Sequence, residues 1–219
     1  MHRTVQNLNV IKKFIISHLE DQSINKIPKI IAVSKTFSME KILPLIEYGH
    51  IDFGENKVQE AIDKWTLIKQ KNPNIKIHMI GKLQTNKVKF AVQIFDYIHS
   101  VDSIKLAKKI ADEQNKINKK IKIFLQVNIG DENQKSGINK TDINQLVSYC
   151  KEIGLDLIGL MCIPPANIDP EGYFDEMNKL NKTLDLNELS MGMSSDFLIA
   201  SKYFSTYVRI GSSIFGKRF

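Results

Sequence analysis

The chain has 219 residues, 42% of them hydrophobic, which is enough to bury a sizeable core. No apolar run reaches the ~18 residues that a membrane helix requires, the N-terminus lacks the pattern of a signal peptide, and the two cysteines have no metal-binding spacing, so we expect a soluble, cytoplasmic protein without membrane contact. The formal net charge of +7 comes from dispersed lysines without an aromatic-basic recognition motif, so we expect no nucleic-acid partner.

The first segment, residues 1–22, has the pattern of an amphipathic helix. Its apolar residues recur at helical spacing: Val5, Leu8, Ile11, Ile15 and Leu19. Such a helix buries one stripe against the rest of the protein. We expect it to cap the bottom of the fold that follows.

Short apolar runs then alternate with helical patterns. The runs predict strands near Ile30–Ser34, Ile51–Phe53, Lys76–Ile80, Tyr97–Ser100, Ile121–Asn128, Leu155–Ile163, Glu188–Ser190 and Tyr207–Ile210. The patterns between them predict helices at Met39–Tyr48, Lys57–Gln70, Asn86–Ile94, Ile104–Ile117, Asp142–Ile153, Tyr173–Leu184 and Phe197–Ser201. This alternation predicts βα units and a parallel sheet, and eight strands favour a closed barrel.

We therefore predict an α/β fold: a (β/α)8 TIM-like barrel over residues 29–219, with the extra N-terminal helix before it. No linker or internal repeat divides the sequence, so we expect a single domain over residues 1–219. An open doubly wound sheet has less support, because no G-x-G-x-x-G motif follows the first predicted strand.

A barrel of this kind places its site at the carboxyl ends of the strands. The first predicted strand ends in "AVSK", which leaves Lys35 at such an end. Lysine is seldom fully buried without a partner, so Lys35 is either the first solvated residue after the strand or an amine held in a pocket. Arg209 lies on the eighth strand, on the opposite face from Val208 and Ile210, so it either points inward or forms a surface ion pair.

Two glycine-serine turns follow the seventh and eighth strands. "SMGMSSD" contains Ser194, and "RIGSSIFG" contains Gly211 and Ser212. Backbone N–H groups and hydroxyls at a strand-to-helix turn suit a phosphate, although one such turn alone is most often a helix cap. Both turns together, at the strand ends where barrels often bind phosphate, favour a phosphate site. A lysine facing that site suggests a Schiff base with pyridoxal 5'-phosphate (PLP), which supplies both an aldehyde and a phosphate.

The motifs "AVSKT", "FGENKVQE", "HMIGKLQTNK", "QVNIGDENQKSGI", "GLMCIPP", "SMGMSSD" and "VRIGSSIFG" occur in order from about residue 30 to the end. In these motifs the sequence closely resembles the PLP homeostasis protein family, whose fold is similar to the N-terminal domain of alanine racemase. The resemblance implies these cofactor-binding residues: Lys35, Asn56, Ser194, Arg209, Gly211 and Ser212. It implies a Schiff base on Lys35, a phosphate cradle at Ser194, Gly211 and Ser212, and contact between Arg209 and the pyridine nitrogen. The family more often has threonine at the position of Ser212, which keeps the hydroxyl.

The resemblance implies binding, buffering or delivery of PLP, with effects on amino-acid metabolism and without an established turnover reaction. PLP-requiring apo-enzymes are the expected recipients, and we expect a monomer with no metal site. The alternatives are a PLP-dependent amino-acid racemase or lyase and a PLP-free Schiff-base aldolase barrel. Alanine racemases complete their site with a second, β-rich domain, for which we expect no room because the sequence stops eight residues after Gly211. A tyrosine, or a histidine such as His78, is a candidate stand-in for the second base that such an enzyme needs.

Overall fold

A computed structural model describes residues 1–132 and 136–217, and in it eight parallel strands close into a barrel. The strands follow one another around the barrel in chain order, and β8 pairs with β1. Their bounds are β1 Lys29–Val33, β2 Asp52–Glu55, β3 Lys76–Met79, β4 Tyr97–Val101, β5 Lys122–Val127, β6 Asp156–Cys162, β7 Glu188–Met193 and β8 Tyr207–Ile210. The predicted α/β barrel is confirmed.

Helices lie around the outside of the barrel. Their bounds are α1 Arg3–Glu20, α2 Met39–Glu47, α3 Val58–Lys71, α4 Val88–Ile94, α5 Ile104–Lys116, α6 Ile143–Glu152, α7 Glu171–Thr183, α8 Phe197–Lys202 and α9 Ser212–Phe215. A short 3₁₀ helix, Thr85–Lys87, precedes α4 and takes up the start of the helix predicted from Asn86. The main hydrophobic core lies between the strands and this ring of helices.

The first helix is present with the predicted buried stripe, but it does not cap the barrel bottom. Helix α1 packs along the side of the barrel, against α2, α8 and α9. Near its start, Asn7 donates a hydrogen bond to the carbonyl oxygen of Ile214 in α9, 2.9 Å away, at the carboxyl end of the strands. Only its middle, around Lys12 and Ile15, borders a cavity at the amino ends of β1 and β2. The apolar stripe is long enough to cover a flank of the barrel, and for this reason α1 joins the outer ring.

The inside of the barrel holds a second, smaller apolar cluster. We call it the barrel-interior cluster; it consists of Ile31, Tyr97, Phe124, Met161 and Tyr207. Because strand side chains alternate, Ile31 marks the inward-facing row of β1 and Tyr207 that of β8. These two rows therefore lead, two residues at a time, toward Lys35 and Arg209.

Within the described ranges, no helix has both the length and the apolar character needed to cross a membrane. The same residues contain no group of three or more His, Cys, Asp or Glu side chains arranged to hold a metal ion. Residues 133–135 of the motif "QVNIGDENQKSGI" and residues 218–219 of the predicted domain lie outside the described residues.

Candidate functional site at the carboxyl ends of four strands

Closure of the barrel makes neighbours of segments that are far apart in the sequence. Strands β7, β8, β1 and β2 are consecutive around the barrel, and the predicted site residues follow or end these four strands. Val33 pairs with Gly54, so Lys35 and Asn56, each two residues later, lie at the same level on adjoining strands. At a strand spacing of about 4.8 Å, the four ends span an arc of ~14 Å. The predicted set therefore converges on one part of the barrel mouth.

Lys35 continues the inward row of β1. Ile31 belongs to the barrel-interior cluster, Val33 follows on the same face, and Lys35 comes next, in the turn after the strand. The lysine is half-buried, whereas Thr36 beside it is exposed. The prediction that Lys35 is only a solvated strand end therefore has less support than the pocket prediction.

A cluster of charged residues outside the barrel holds this turn. The Nζ of Lys64, on α3, donates hydrogen bonds to the carbonyl oxygen of Ser34 at 3.0 Å and to Oε1 of Glu60 at 2.6 Å. Glu60 in turn accepts a hydrogen bond from the backbone N–H of Thr36, a residue with a left-handed φ of 68°. The backbone on both sides of Lys35 is thus tied to one helix. We call Glu55, Glu60 and Lys64 the turn-holding cluster.

Glu55 is the buried member of the turn-holding cluster. Its side chain is 0% exposed and its Oε1 accepts hydrogen bonds from Ser34 Oγ at 2.8 Å and from Trp65 Nε1 at 3.1 Å. Burial raises the pKa of Glu55, and the nearby Lys64 ammonium acts in the opposite direction. A charged carboxyl group in this place needs Lys64 beside it, which links the lysine to the shape of the turn.

Ser194 and Gly211 meet where β7 and β8 end. The backbone N–H of Gly211 points at Oγ of Ser194 across 3.4 Å. Asp196 fixes the Ser194 turn by accepting a hydrogen bond from the N–H of Met193 at 2.6 Å. Gly192 has a φ of +91°, and a Cβ there would lie 2.6 Å from the Cβ of Ala200, so only glycine lets α8 approach this closely. The Ser194 turn is therefore defined on both sides.

Ser212 begins the single-turn helix α9 and is exposed. It lines a cavity of about 660 Å³ between the starts of α1 and α2 and helix α9. The basic side chains of Arg3 and Lys41 line the same cavity. The hydroxyl is thus accessible to an anion, and basic side chains, Lys217 among them, border the same cavity.

Arg209 is buried and points into the barrel. It is 4% exposed and donates hydrogen bonds to the carbonyl oxygens of Ser190 at 2.6 Å and Cys162 at 2.8 Å. A further hydrogen bond reaches Oγ of Ser190 at 2.7 Å. Burial lowers the pKa of Arg209, and Asp196 acts in the opposite direction. The inward orientation is confirmed, and the alternative of a surface ion pair is wrong.

Asn56 carries an unused polar atom at the mouth. Its Oδ1 is buried and accepts no hydrogen bond from the residues that the structure describes. The turn after β3 packs directly on its backbone, since a Cβ on Gly81 would lie 2.6 Å from the Asn56 carbonyl oxygen. The Asn56 amide therefore keeps a free hydrogen-bonding capacity at the barrel mouth.

His78 does not lie at the mouth. It is 0% exposed, and its two ring nitrogens contact Asp52 at 3.0 Å and His99 at 2.9 Å inside the barrel. The expectation that it could act as a second base is therefore wrong, because both nitrogens are engaged below the strand ends. Inward alternation on β3 would have revealed this burial, since Met79 next to it packs outward in the main core.

Comparison with known proteins places the chain in a family. Residues 16–218 match the family model described as alanine racemase, N-terminal domain. The pyridoxal phosphate homeostasis protein of Pasteurella multocida is 37% identical over 201 residues, which cover 87% of this chain and 86% of that protein.

Solved structures agree with this match. The structure of PipY from Synechococcus elongatus without PLP has a TM-score of 0.83 and 32% identity, and the match covers 92% of this chain and 100% of PipY. The PipY structure with PLP bound has a TM-score of 0.77 and the same identity, over 92% and 98% of the two chains.

Proposed function

The chain belongs to the alanine racemase N-terminal domain family and, within it, to the pyridoxal phosphate homeostasis proteins; from this we propose that it binds PLP and takes part in PLP homeostasis by holding, buffering or delivering it. The observation that carries the proposal is the convergence of Lys35, Asn56 and Arg209 with the Ser194–Gly211 turn on four adjoining strand ends. The PipY relative of the same fold has been solved with PLP.

The residues present suit this group. PLP offers an aldehyde, a phosphate and a pyridine nitrogen, and the strand ends offer an amine, hydroxyl and amide donors, and a guanidinium. Asn56 has a buried Oδ1 without a partner among the described residues, which suits a hydrogen bond from PLP. Arg209 is held by Ser190 and Cys162 in a fixed orientation. A guanidinium stays protonated, so it can donate to the pyridine nitrogen but is not expected to hand over its proton.

We propose that Lys35 holds PLP covalently. Its amine and the aldehyde carbon form a C=N bond with release of one water molecule, and this Schiff base is the chemistry that PLP supplies. The turn-holding cluster keeps Lys35 at the end of its inward row. Half-burial at this position leaves the amine partly accessible at the barrel mouth, where an aldehyde can reach it.

The phosphate is assigned to Ser194, Ser212 and the N–H of Gly211. The Gly211 N–H points at the Ser194 hydroxyl, so the two groups lie side by side and form one small cradle for a phosphate oxygen. Ser212 adds an exposed hydroxyl from the next residue. The basic side chains of Arg3, Lys41 and Lys217 border the adjoining cavity, and basic side chains suit an anion there.

We further propose that amino-acid turnover is slow or absent. Inversion at carbon needs an acid or base on each face of the cofactor. Lys35 can serve one face, whereas His78 is fully buried with both ring nitrogens engaged. The racemase or lyase alternative therefore has no second base among the histidines of the strand ends in the described ranges.

The test of PLP binding starts with the absorption spectrum of the purified protein. We expect a yellow protein whose visible band disappears on reduction with borohydride, and peptide mass spectrometry should place the phosphopyridoxyl group on Lys35. Lys35→Ala should lack the band. Lys82→Ala, which removes an exposed lysine after strand β3, is the matched control and should keep it. A reduced adduct found only on another lysine would refute the assignment.

The test of the carrier role uses PLP-loaded protein with L- and D-amino acids in deuterated water. Lys35-dependent racemisation or deuterium incorporation at about 1 s⁻¹ or faster, which is in the ordinary enzyme range, would support the enzyme alternative instead.

We propose that PLP-requiring apo-enzymes are the recipients and that the protein acts as a cytoplasmic monomer. Activation of such an apo-enzyme by the loaded protein, with sedimentation at monomer mass, is the expected result.

A further inference from the structure

A continuous chain of hydrogen bonds crosses the barrel interior. Arg209 Nη1 donates to Ser190 Oγ at 2.7 Å, and Ser190 Oγ lies 2.8 Å from Nδ1 of His99. Nε2 of His99 lies 2.9 Å from Nδ1 of His78, whose Nε2 lies 3.0 Å from Oδ1 of Asp52. The chain joins strands β8, β7, β4, β3 and β2. We call these five residues the interior relay.

Chemistry at the two ends gives the interior relay a single direction. A guanidinium can only donate, so Ser190 Oγ accepts from Arg209 and its own hydrogen is left for Nδ1 of His99. His99 then carries its proton on Nε2 and donates it to Nδ1 of His78. His78 in turn carries its proton on Nε2, facing the Asp52 carboxylate, which can only accept. The opposite arrangement would point an unprotonated ring nitrogen at a carboxylate and leave the serine hydrogen without an acceptor.

The two imidazoles are neutral, and each stacks on an aromatic ring. Burial lowers the pKa of His78 and lowers that of His99 well below its usual range, so each ring keeps one proton near neutral pH. His78 stacks on Tyr97 with ring centroids 4.2 Å apart, and His99 stacks on Phe124 at 4.3 Å. Both partner rings belong to the barrel-interior cluster. Each imidazole is therefore held by one stacked ring and by two hydrogen-bonding contacts.

We propose that the interior relay is a positioning device for Arg209, which sets the direction of its free N–H groups toward the pyridine nitrogen and links this end of the site to Asp52 at the opposite end of the barrel. The proposal rests on the proposed PLP site. Asp52 borders a cavity of about 340 Å³ at the amino ends of the strands, beside His50 and Lys12. Hydrogen bonds in such a chain polarise one another, so the carboxylate charge strengthens each link up to Ser190.

A variant at Ser190 distinguishes this positioning role from ordinary packing. Arg209 also donates to the Ser190 carbonyl oxygen, at 2.6 Å, and this contact survives the removal of the hydroxyl. Ser190→Ala thus disconnects Arg209 from the histidines without removing its backbone anchor. Ser100 on β4 is the matched control, because it is also buried and its hydroxyl has no partner among the described residues.

The first measurement needs no ligand. In histidine-labelled protein, long-range ¹H–¹⁵N correlation spectra distinguish the two tautomers of each ring. We expect His78 and His99 both to be protonated on Nε2 only, with assignments made from single His→Gln variants. A proton on Nδ1 of either ring would reverse the direction and overturn the interior relay.

The second measurement compares PLP with its 1-deaza analogue, in which a C–H replaces the pyridine nitrogen. For Ser190→Ala we expect PLP binding to weaken ~5-fold, the effect of about one hydrogen bond, while binding of the deaza analogue changes less than about 2-fold. Ser100→Ala should change neither. Equal weakening of both ligands by Ser190→Ala would mean a purely structural role and would overturn the proposal. If neither ligand binds the unmutated protein, the proposed function fails, and the tautomer spectra still decide whether the interior relay exists.

Discussion

Removing the charge of Lys64 tests whether the turn-holding cluster controls the Lys35 turn. Lys64→Met keeps most of the side-chain length and deletes the ammonium group. Three contacts are lost: 3.0 Å to the Ser34 carbonyl oxygen, 2.6 Å to Glu60 and 3.4 Å to Glu55. The Glu55 carboxyl group remains, 0% exposed, without its ion-pair partner Lys64.

The size of the effect follows from that uncompensated charge. Removing one partner of a buried ion pair costs about 3–5 kcal/mol of unfolding free energy. Two features reduce this: the Lys64 side chain is 15% exposed, and Glu55 keeps the hydrogen bonds from Ser34 and Trp65. We therefore expect Lys64→Met to destabilise the protein by about 2–3 kcal/mol at pH 7.

The loss should depend on pH in a defined direction. Burial already raises the pKa of Glu55 above its usual value, and loss of Lys64 raises it further. A carboxyl group whose pKa is higher in the folded than in the unfolded state binds more protons when folded. Stability from this group therefore falls as pH rises, and Lys64→Met should cost less at pH 5 than at pH 7.

Urea unfolding at both pH values measures these losses. Trp65 is the only tryptophan and donates a hydrogen bond to Glu55 at 3.1 Å, so its fluorescence reports the site while circular dichroism reports the whole fold. Glu55→Gln combined with Lys64→Met should recover at least about 1 kcal/mol, because the stranded charge is gone. An equal loss at pH 5 and pH 7, or no recovery in the double variant, would refute the reasoning. Less borohydride-trapped PLP on Lys35 in Lys64→Met, at equal PLP concentration, is the expected functional result.

Further predictions concern the phosphate, acid stability and the thiols. Ser194→Ala with Ser212→Ala should weaken PLP binding by about 1.5–3 kcal/mol per lost donor and pyridoxal binding much less, and equal losses for both ligands would contradict a phosphate role. Burial lowers the pKa of His50 to about 4, so the unfolded chain takes up this proton first as pH falls below ~6.5. His50→Gln should therefore gain about 2 kcal/mol relative to the unmutated protein between pH 7 and pH 5 in urea unfolding, and a pH-independent difference would contradict this. Burial raises the pKa of both thiols, Cys150 and Cys162, to about 12, so dithiobis-nitrobenzoate should react only as fast as the protein unfolds.

Periodicity in the sequence predicted the barrel, because buried parallel strands read as apolar runs and each lies between helical patterns. It predicted strand ends less well. The seventh strand was expected to stop at Ser190, before the glycine-containing turn, but β7 continues to Met193. The φ of +91° at Gly192 bends the strand without ending it, and a pattern of residue types does not show whether a glycine bends a strand or terminates it.

The sequence could predict those site residues that lie at the carboxyl ends of strands. Lys35 and Arg209 stand at strand ends, so the fold alone brings them together. Lys64 could not be found in this way, because it lies on α3 and reaches the turn through a side chain whose direction depends on packing. The sequence did not predict the roles of Asp52 and His99 either. Each is an isolated polar residue in the sequence, and only the closed barrel connects them through His78.

The polar interior of this barrel is best understood through the cost of burying Arg209. Taking a cation out of water costs several kcal/mol, and no carboxylate in the described residues forms a hydrogen bond with this one. Two carbonyl oxygens, one hydroxyl and the interior relay that ends at Asp52 offset that cost. Apolar replacement of buried ionic groups at similar volume is often neutral or stabilising, so stability alone does not account for the arrangement. Departures from apolar packing are expected where a site must hold a charge. In this barrel the polar residues of the interior relay end at Arg209 on β8, near the carboxyl ends of the strands.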